Sequence, residues 1–185
     1  MKSFGFTLLL TVFLFAAVPP AQALEQYWTA EAGFFFPDGN DLDPGINIEG
    51  GYGLRLIDLA PALSRHGSSW SKVGIEAGAG YYHAEYGGNG GGDIDVIPLT
   101  LAALVRHSVN SAFTLYGGAG LGLYLIDNNL PDRRDGSSTD LGAHVIGGAA
   151  FPVSKSVDIT AEVKWRVAGH DADGAVLTGG VRYAF

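Results

Sequence analysis

The chain contains no cysteine in 185 residues. Disulfide scaffolds, thiol catalysis and thiolate metal centres are thereby excluded. Charge is sparse as well: only 16% of the residues are charged, and 11 basic side chains face 19 acidic ones. The resulting net charge of -8 does not suit a nucleic-acid surface, which needs a basic patch to neutralise phosphates. Beyond the N-terminal segment, no stretch is apolar over the ~20 positions that a membrane helix requires. Nor does any stretch of useful length follow the 3.6-residue period of an amphipathic helix.

What the chain does have is glycine, 28 residues of it, alongside 10 phenylalanines, 8 tyrosines and 3 tryptophans. Its start is also distinctive. Lys2 is followed by the apolar run Phe4 to Val18, then by Pro19-Pro20 and the small-x-small sequence Ala21-Gln22-Ala23. This is the pattern of a cleaved secretory signal peptide, expected over residues 1–23, with a single domain over residues 24–185. A secreted chain without cysteine must be held together by hydrogen bonding and packing.

After that segment, hydropathy alternates with period two, the mark of strands facing two different environments. From Val157 to Val167, the odd positions are Val, Ile, Ala, Val, Trp and Val, while Asp158, Thr160, Glu162, Lys164 and Arg166 fall on the other face. The last segment places Ala175, Leu177, Gly179, Val181, Tyr183 and Phe185 on one face, with Thr178, Gly180 and Arg182 opposite. From Phe113 to Leu125, leucines on one face oppose glycines and tyrosines on the other. Further alternating segments are Tyr27–Phe36, Ile46–Leu56, Val73–Tyr86, Ile94–His107 and Leu141–Phe151, so about eight strands are expected. Tight turns are expected at Ser108–Ser111 and Val153–Ser156, and polar or glycine-rich loops at Pro37–Gly45, Gly87–Gly92, Asp127–Thr139 and Ala168–Gly174. The connection Ile57–Ser71 is longer than its neighbours predict and has room for a short helical turn.

The distribution of charge decides what the two faces touch. The apolar face of the strand interiors carries no charged side chain, as expected where lipid would penalise Arg or Lys by roughly 2–4 kcal/mol at mid-depth. The other face carries Glu31, Glu49, Arg55, Glu76, Arg106, His144, Glu162, Lys164, Arg166 and Arg182, charges of both signs. Eight strands leave an interior just wide enough for side chains to fill, so these residues are expected to form a network that plugs the lumen. Glycines such as Gly78, Gly80, Gly118, Gly120 and Gly122 make room there for Tyr82, Tyr116, Tyr124 and the arginines. Aromatics near strand ends, among them Trp28, Phe34, Phe36, Phe151, Trp165 and Tyr183, suit two interfacial girdles. The expected fold is all-β: a closed antiparallel eight-stranded transmembrane β-barrel, monomeric and surrounded by outer-membrane lipid and lipopolysaccharide.

The segments Ile97-Pro98-Leu99-Thr100-Leu101-Ala102-Ala103-Leu104-Val105-Arg106 and Phe113-Thr114-Leu115-Tyr116-Gly117-Gly118-Ala119-Gly120-Leu121-Gly122, with the terminal Val181-Arg182-Tyr183-Ala184-Phe185, resemble the outer-membrane β-barrel domain family related to OmpA and OmpX. The resemblance implies an outer-membrane location and recognition of the terminal aromatics, Tyr183 and Phe185, by the barrel-assembly machinery. No OmpA-type peptidoglycan-binding domain is expected. The family's motifs specify architecture far more than activity.

Candidate chemistry is thin. Some small outer-membrane barrels deacylate lipid A with a serine hydrolase-like His-x-Ser pair, and His66-Gly67-Ser68 has that spacing. It falls, however, in a connection expected on the periplasmic side. His107-Ser108 has the wrong spacing, and His144 is expected to hydrogen-bond inside the lumen. Asp38-Gly39-Asn40-Asp41-Leu42-Asp43 is rich in oxygen ligands, but Leu42 interrupts it and no bidentate Glu follows, so a solvated loop is expected rather than a calcium site. The glycines of 87–92 lack the Lys-Ser or Lys-Thr of a phosphate cradle. Arg133-Arg134 has the chemistry to touch lipopolysaccharide phosphates. No catalytic set, cofactor or metal is expected. The anticipated role is structural or surface-interactive, with a lipid A-modifying enzyme or a lateral-opening transporter of small apolar molecules as the alternatives.

Overall fold

The computed structural model describes residues 26–38, 42–62, 72–87, 91–129, 136–169 and 172–185. Eight antiparallel strands close into a barrel in sequence order: β1 (Gln26–Pro37), β2 (Gly45–Arg55), β3 (Val73–Glu85), β4 (Asp93–Ser108), β5 (Thr114–Asn129), β6 (Gly136–Pro152), β7 (Val157–Val167) and β8 (Gly174–Ala184). β1 pairs with β8 from Tyr27↔Ala184 to Pro37↔Gly174, so the sheet has no free edge. Closure matters because neither backbone donors nor acceptors find water in lipid.

The two-residue period becomes the two faces of the wall. Phe34, Ile46, Leu101, Leu121, Val145, Val163, Trp165 and Leu177 point outward and are exposed, while Phe35, Asn47, Tyr82, Tyr124, His144, Glu162, Lys164 and Arg166 point inward and are buried. This is a soluble protein turned inside out, as a lipid-facing wall requires.

Both described chain ends lie at one end of the barrel, the terminus end. The turns there are short and tight: Val109 N–H donates to the Phe113 carbonyl (3.2 Å), and Val153 N–H to that of Val157 (2.9 Å). The connection after β2 opens with α1 (Leu56–Leu59), the helical turn for which the sequence left room; residues 63–71, including His66 and Ser68, lie outside the described residues.

At the far end, the structure corrects the expected loop Asp127–Thr139. The ladder continues through Asp127↔Ser137 and Asn128↔Gly136, so β5 and β6 run on as a polar hairpin. Period-two hydropathy fades where both faces meet water, which is why the sequence pattern ended early. Arg133 and Arg134 lie outside the described residues. Leu42, the residue that interrupts the oxygen-rich stretch after β1, is buried and bridges to Tyr86. Residues 39–41 and 88–90 are likewise not described.

Candidate functional site

The interior is layered. Nearest the terminus end, the Tyr27 ring lies beneath two guanidinium groups, Arg106 at 4.2 Å from its centroid and Arg182 at 5.7 Å. Arg182 also donates twice to Asp158 Oδ2, at 2.9 and 2.5 Å. Asp158 and Arg182 face one another in the β7–β8 register, which brings them together directly.

In the middle layer, Lys164 Nζ pairs with Glu49 Oε2 (2.6 Å) and Glu162 Oε1 (3.1 Å). The guanidinium of Arg166, fully buried, donates to Glu49 through Nη2 and to Asn47 Oδ1 through Nη1 (3.3 Å). Asn47 in turn donates to Glu49 Oε1 at 2.9 Å. Glu31 accepts from Thr160 (3.1 Å) and Thr178 (3.0 Å). Glu31 and Glu76 both line two small polar cavities of about 10 Å³ each, about the size of one water. Such a layer is stable only when each ion keeps its partner, because the barrel interior screens charge poorly.

Toward the far end the filling becomes apolar. Phe35, Leu42, Tyr82, Ala84, Ile94, Val96, Tyr124, Ile126 and Val176 form a buried cluster above the ions. The Phe35 and Tyr82 rings lie 4.4 Å apart, and Arg166 stacks over Tyr82 at 5.0 Å, joining the two layers. The Tyr82 hydroxyl donates to the Ala172 carbonyl at 3.1 Å, tying the cluster to the β7–β8 connection.

Of the ten residues picked from the sequence, Glu31, Glu49, Glu76, Arg106, Glu162, Lys164, Arg166 and Arg182 lie in this interior. Arg55 is different: it ends β2 at the rim and pairs with Asp58 of α1 (3.1 Å), three residues on. His144 is buried as expected, but the structure corrects its expected hydrogen bonding, because its Nδ1 has no protein partner. Its cross-strand neighbour, Gly120, has no side chain to offer one, and the ring occupies that vacancy instead. Asp158, Thr160 and Thr178 were placed on the polar face in the sequence but not in the interior network, and Asn47 was not singled out at all. The signal was present, since each shares the parity of a charged residue already chosen on its own strand.

Tyr183 and Phe185 project outward at the terminus end, each about half exposed, with ring centroids 6.1 Å apart. The Phe185 N–H donates to the Gln26 carbonyl (3.1 Å), so the last residue is held against the first strand.

The two rims differ in charge. Among the described residues, the far rim carries Asp38, Asp43, Glu85, Asp93, Asp95, Asp127, Asp140 and Asp173 and no lysine or arginine. The terminus rim carries Arg55, Lys72 and Lys155 with Asp58.

A closed eight-stranded barrel with an apolar outer wall, a filled ionic interior and unequal rims defines a small outer-membrane β-barrel protein. The chain belongs to the outer membrane protein beta-barrel domain family, whose model matches residues 6–185. Among solved structures, Neisserial surface protein A is similar with a TM-score of 0.62 and 18% identity, covering 86% of this chain and 97% of that one. A major outer membrane protein from Thermus thermophilus follows at a TM-score of 0.55 and 16% identity, covering 86% and 99%. The N-terminal barrel of Pseudomonas aeruginosa OprF gives 0.53 and 15%, covering 87% and 97%. At these identities the likeness is one of fold. No curated protein matches the chain in sequence. Among the described residues, no nucleophile stands beside a histidine and carboxylate in the manner of a hydrolase.

Proposed function

We propose that this protein is a monomeric structural and surface-interaction barrel whose far rim faces the cell exterior, with its lumen plugged by the layered side chains. The observation that carries the reading is the charge asymmetry on a filled, closed barrel. A barrel with no passage acts through its rims and wall, and its far rim is acidic along its described length. Surface roles in relatives of the fold support the reading, as in the Neisserial surface protein. Residues 1–23 act as the export signal, Tyr183 and Phe185 are read by the barrel-assembly machinery, and lipopolysaccharide surrounds the far half of the wall. Every strand pairs with two neighbours, β1–β8 included, and the ladder is interrupted only between β3 and β4, at Gly80–Tyr81 opposite Ile97–Pro98, where pairing resumes in the same register; this favours the role over a lateral opening.

Because the chain lacks cysteine, single introduced thiols report orientation cleanly. In intact cells, a membrane-impermeant maleimide is expected to label Asp43→Cys and to label Lys155→Cys only after lysis. The reverse pattern would overturn the orientation. In the same membrane fractions, the unboiled protein is expected to migrate differently from the boiled one on a gel. Identical migration would remove the barrel reading itself.

A further inference from the structure

The outer wall above the apolar belt holds a cluster that the lumen does not explain. On the upper ends of β3 and β4, ligand atoms of His83, Asp93 and Asp95 lie within 4.8 Å of one another. His83 Nδ1 is 2.8 Å from Asp95 Oδ1, and its Nε2 is 4.0 Å from Glu85 Oε1. An imidazole nitrogen beside two carboxylates is a mixed donor set of the kind that first-row divalent ions take.

The sheet register supplies a separate observation. Glu85 sits directly opposite Asp93, and Asp95 directly opposite Asp127, all on the outward face. Like charges facing each other across strands are destabilising, and here two such pairs occupy adjoining positions. Besides His83, two neutral donors among the described residues are arranged around the carboxylates. Tyr81 Oη donates to Asp95 Oδ1 at 2.5 Å, and Asn129 Nδ2 to Asp93 Oδ1 at 3.0 Å. Both carboxylates are thus held in place, and no described lysine or arginine lies on this rim. Donors that orient ligands in this way are what a metal site has in its surroundings.

We propose that His83, Asp93 and Asp95 bind one divalent cation of the zinc class on the outer wall, with Tyr81 and Asn129 as positioning residues. The ion cancels the repulsion that the register builds in, and its remaining coordination positions face outward to water or a lipid phosphate. The site requires only the folded barrel and is independent of which rim faces the exterior.

The test is calorimetric titration of Zn²⁺ into the full barrel in detergent and phosphate-free buffer, with heat-dependent gel migration as the folding control for each variant. The expected result is one Zn²⁺ per chain, with affinity at least tenfold weaker in His83→Ala and in Asp95→Asn. A rim carboxylate outside the cluster, Asp43→Asn, is expected to leave it unchanged. Zn²⁺ is also expected to raise the unfolding temperature of the parent and not of His83→Ala. Absence of binding overturns the proposal. So does binding that His83→Ala leaves intact, since that is diffuse attraction to an acidic rim, and so does Ca²⁺ binding as tight as Zn²⁺.

Discussion

Single side chains in this molecule are judged by the partners they leave behind. Arg166 is the largest fully buried side chain, and Glu49 is its only described ionic partner. Removing one partner strands the other ion, a loss of about 3–5 kcal/mol. Glu49→Leu strands Arg166 and is expected to lower stability by about that amount in urea unfolding of detergent-solubilised barrel, whereas Arg166→Met leaves Glu49 its Lys164 partner and is expected to cost less. The double variant removes the stranded guanidinium and leaves Lys164 its Glu162 partner, so it is expected to cost less than Glu49→Leu alone; additive losses would show that the two residues are not coupled. At this scale the sequence was only half legible. Parity identified which side chains face inward, because alternation is strict within a strand. It did not reveal that Glu49 gathers both cations, that Arg55 turns to Asp58 or that His144 lacks a partner, since these depend on how strands are staggered around the barrel.

Elements were legible where both faces differ, and their ends were not. All eight strands were found from segments of hydropathy alternation, but the β5–β6 hairpin outruns it because beyond the apolar belt nothing distinguishes its faces. Packing between elements rests on glycines facing aromatics. Tyr27 lies opposite Gly53 in the β1–β2 register, and a Cβ at Gly53 would overlap the Tyr27 ring. That ring cannot easily yield, since Arg106 and Arg182 lie over it. Gly53→Ala is therefore expected to destabilise by about 1–3 kcal/mol, as overpacking does. In a Tyr27→Ala background the same change is expected to cost little. An equal penalty in both backgrounds, measured by the same unfolding assay, would mean that the glycine serves the backbone rather than the ring.

Taken whole, the molecule is a tube filled twice, by ions in the middle and by an apolar cluster toward the far rim. The sequence announced the first filling through its inward charges. It hid the second, because inward-facing Phe35, Ile94, Val96 and Ile126 break the polar-in pattern and read as local noise. In planar bilayers the parent is expected to show no steady conductance, and Phe35→Ala with Tyr82→Ala none either, because the ionic layer remains below. Conductance is expected only when that pair is combined with Arg166→Ala. Channels in the pair alone would show that the apolar cluster is the sole barrier. The seam between β1 and β8 has a temporal consequence. It joins β1 to β8, so a growing chain keeps two unpaired edges until β8 arrives. Half a barrel is therefore no intermediate that a membrane tolerates, and assembly is a single commitment made once β8 is available, with some agent shielding both edges until then.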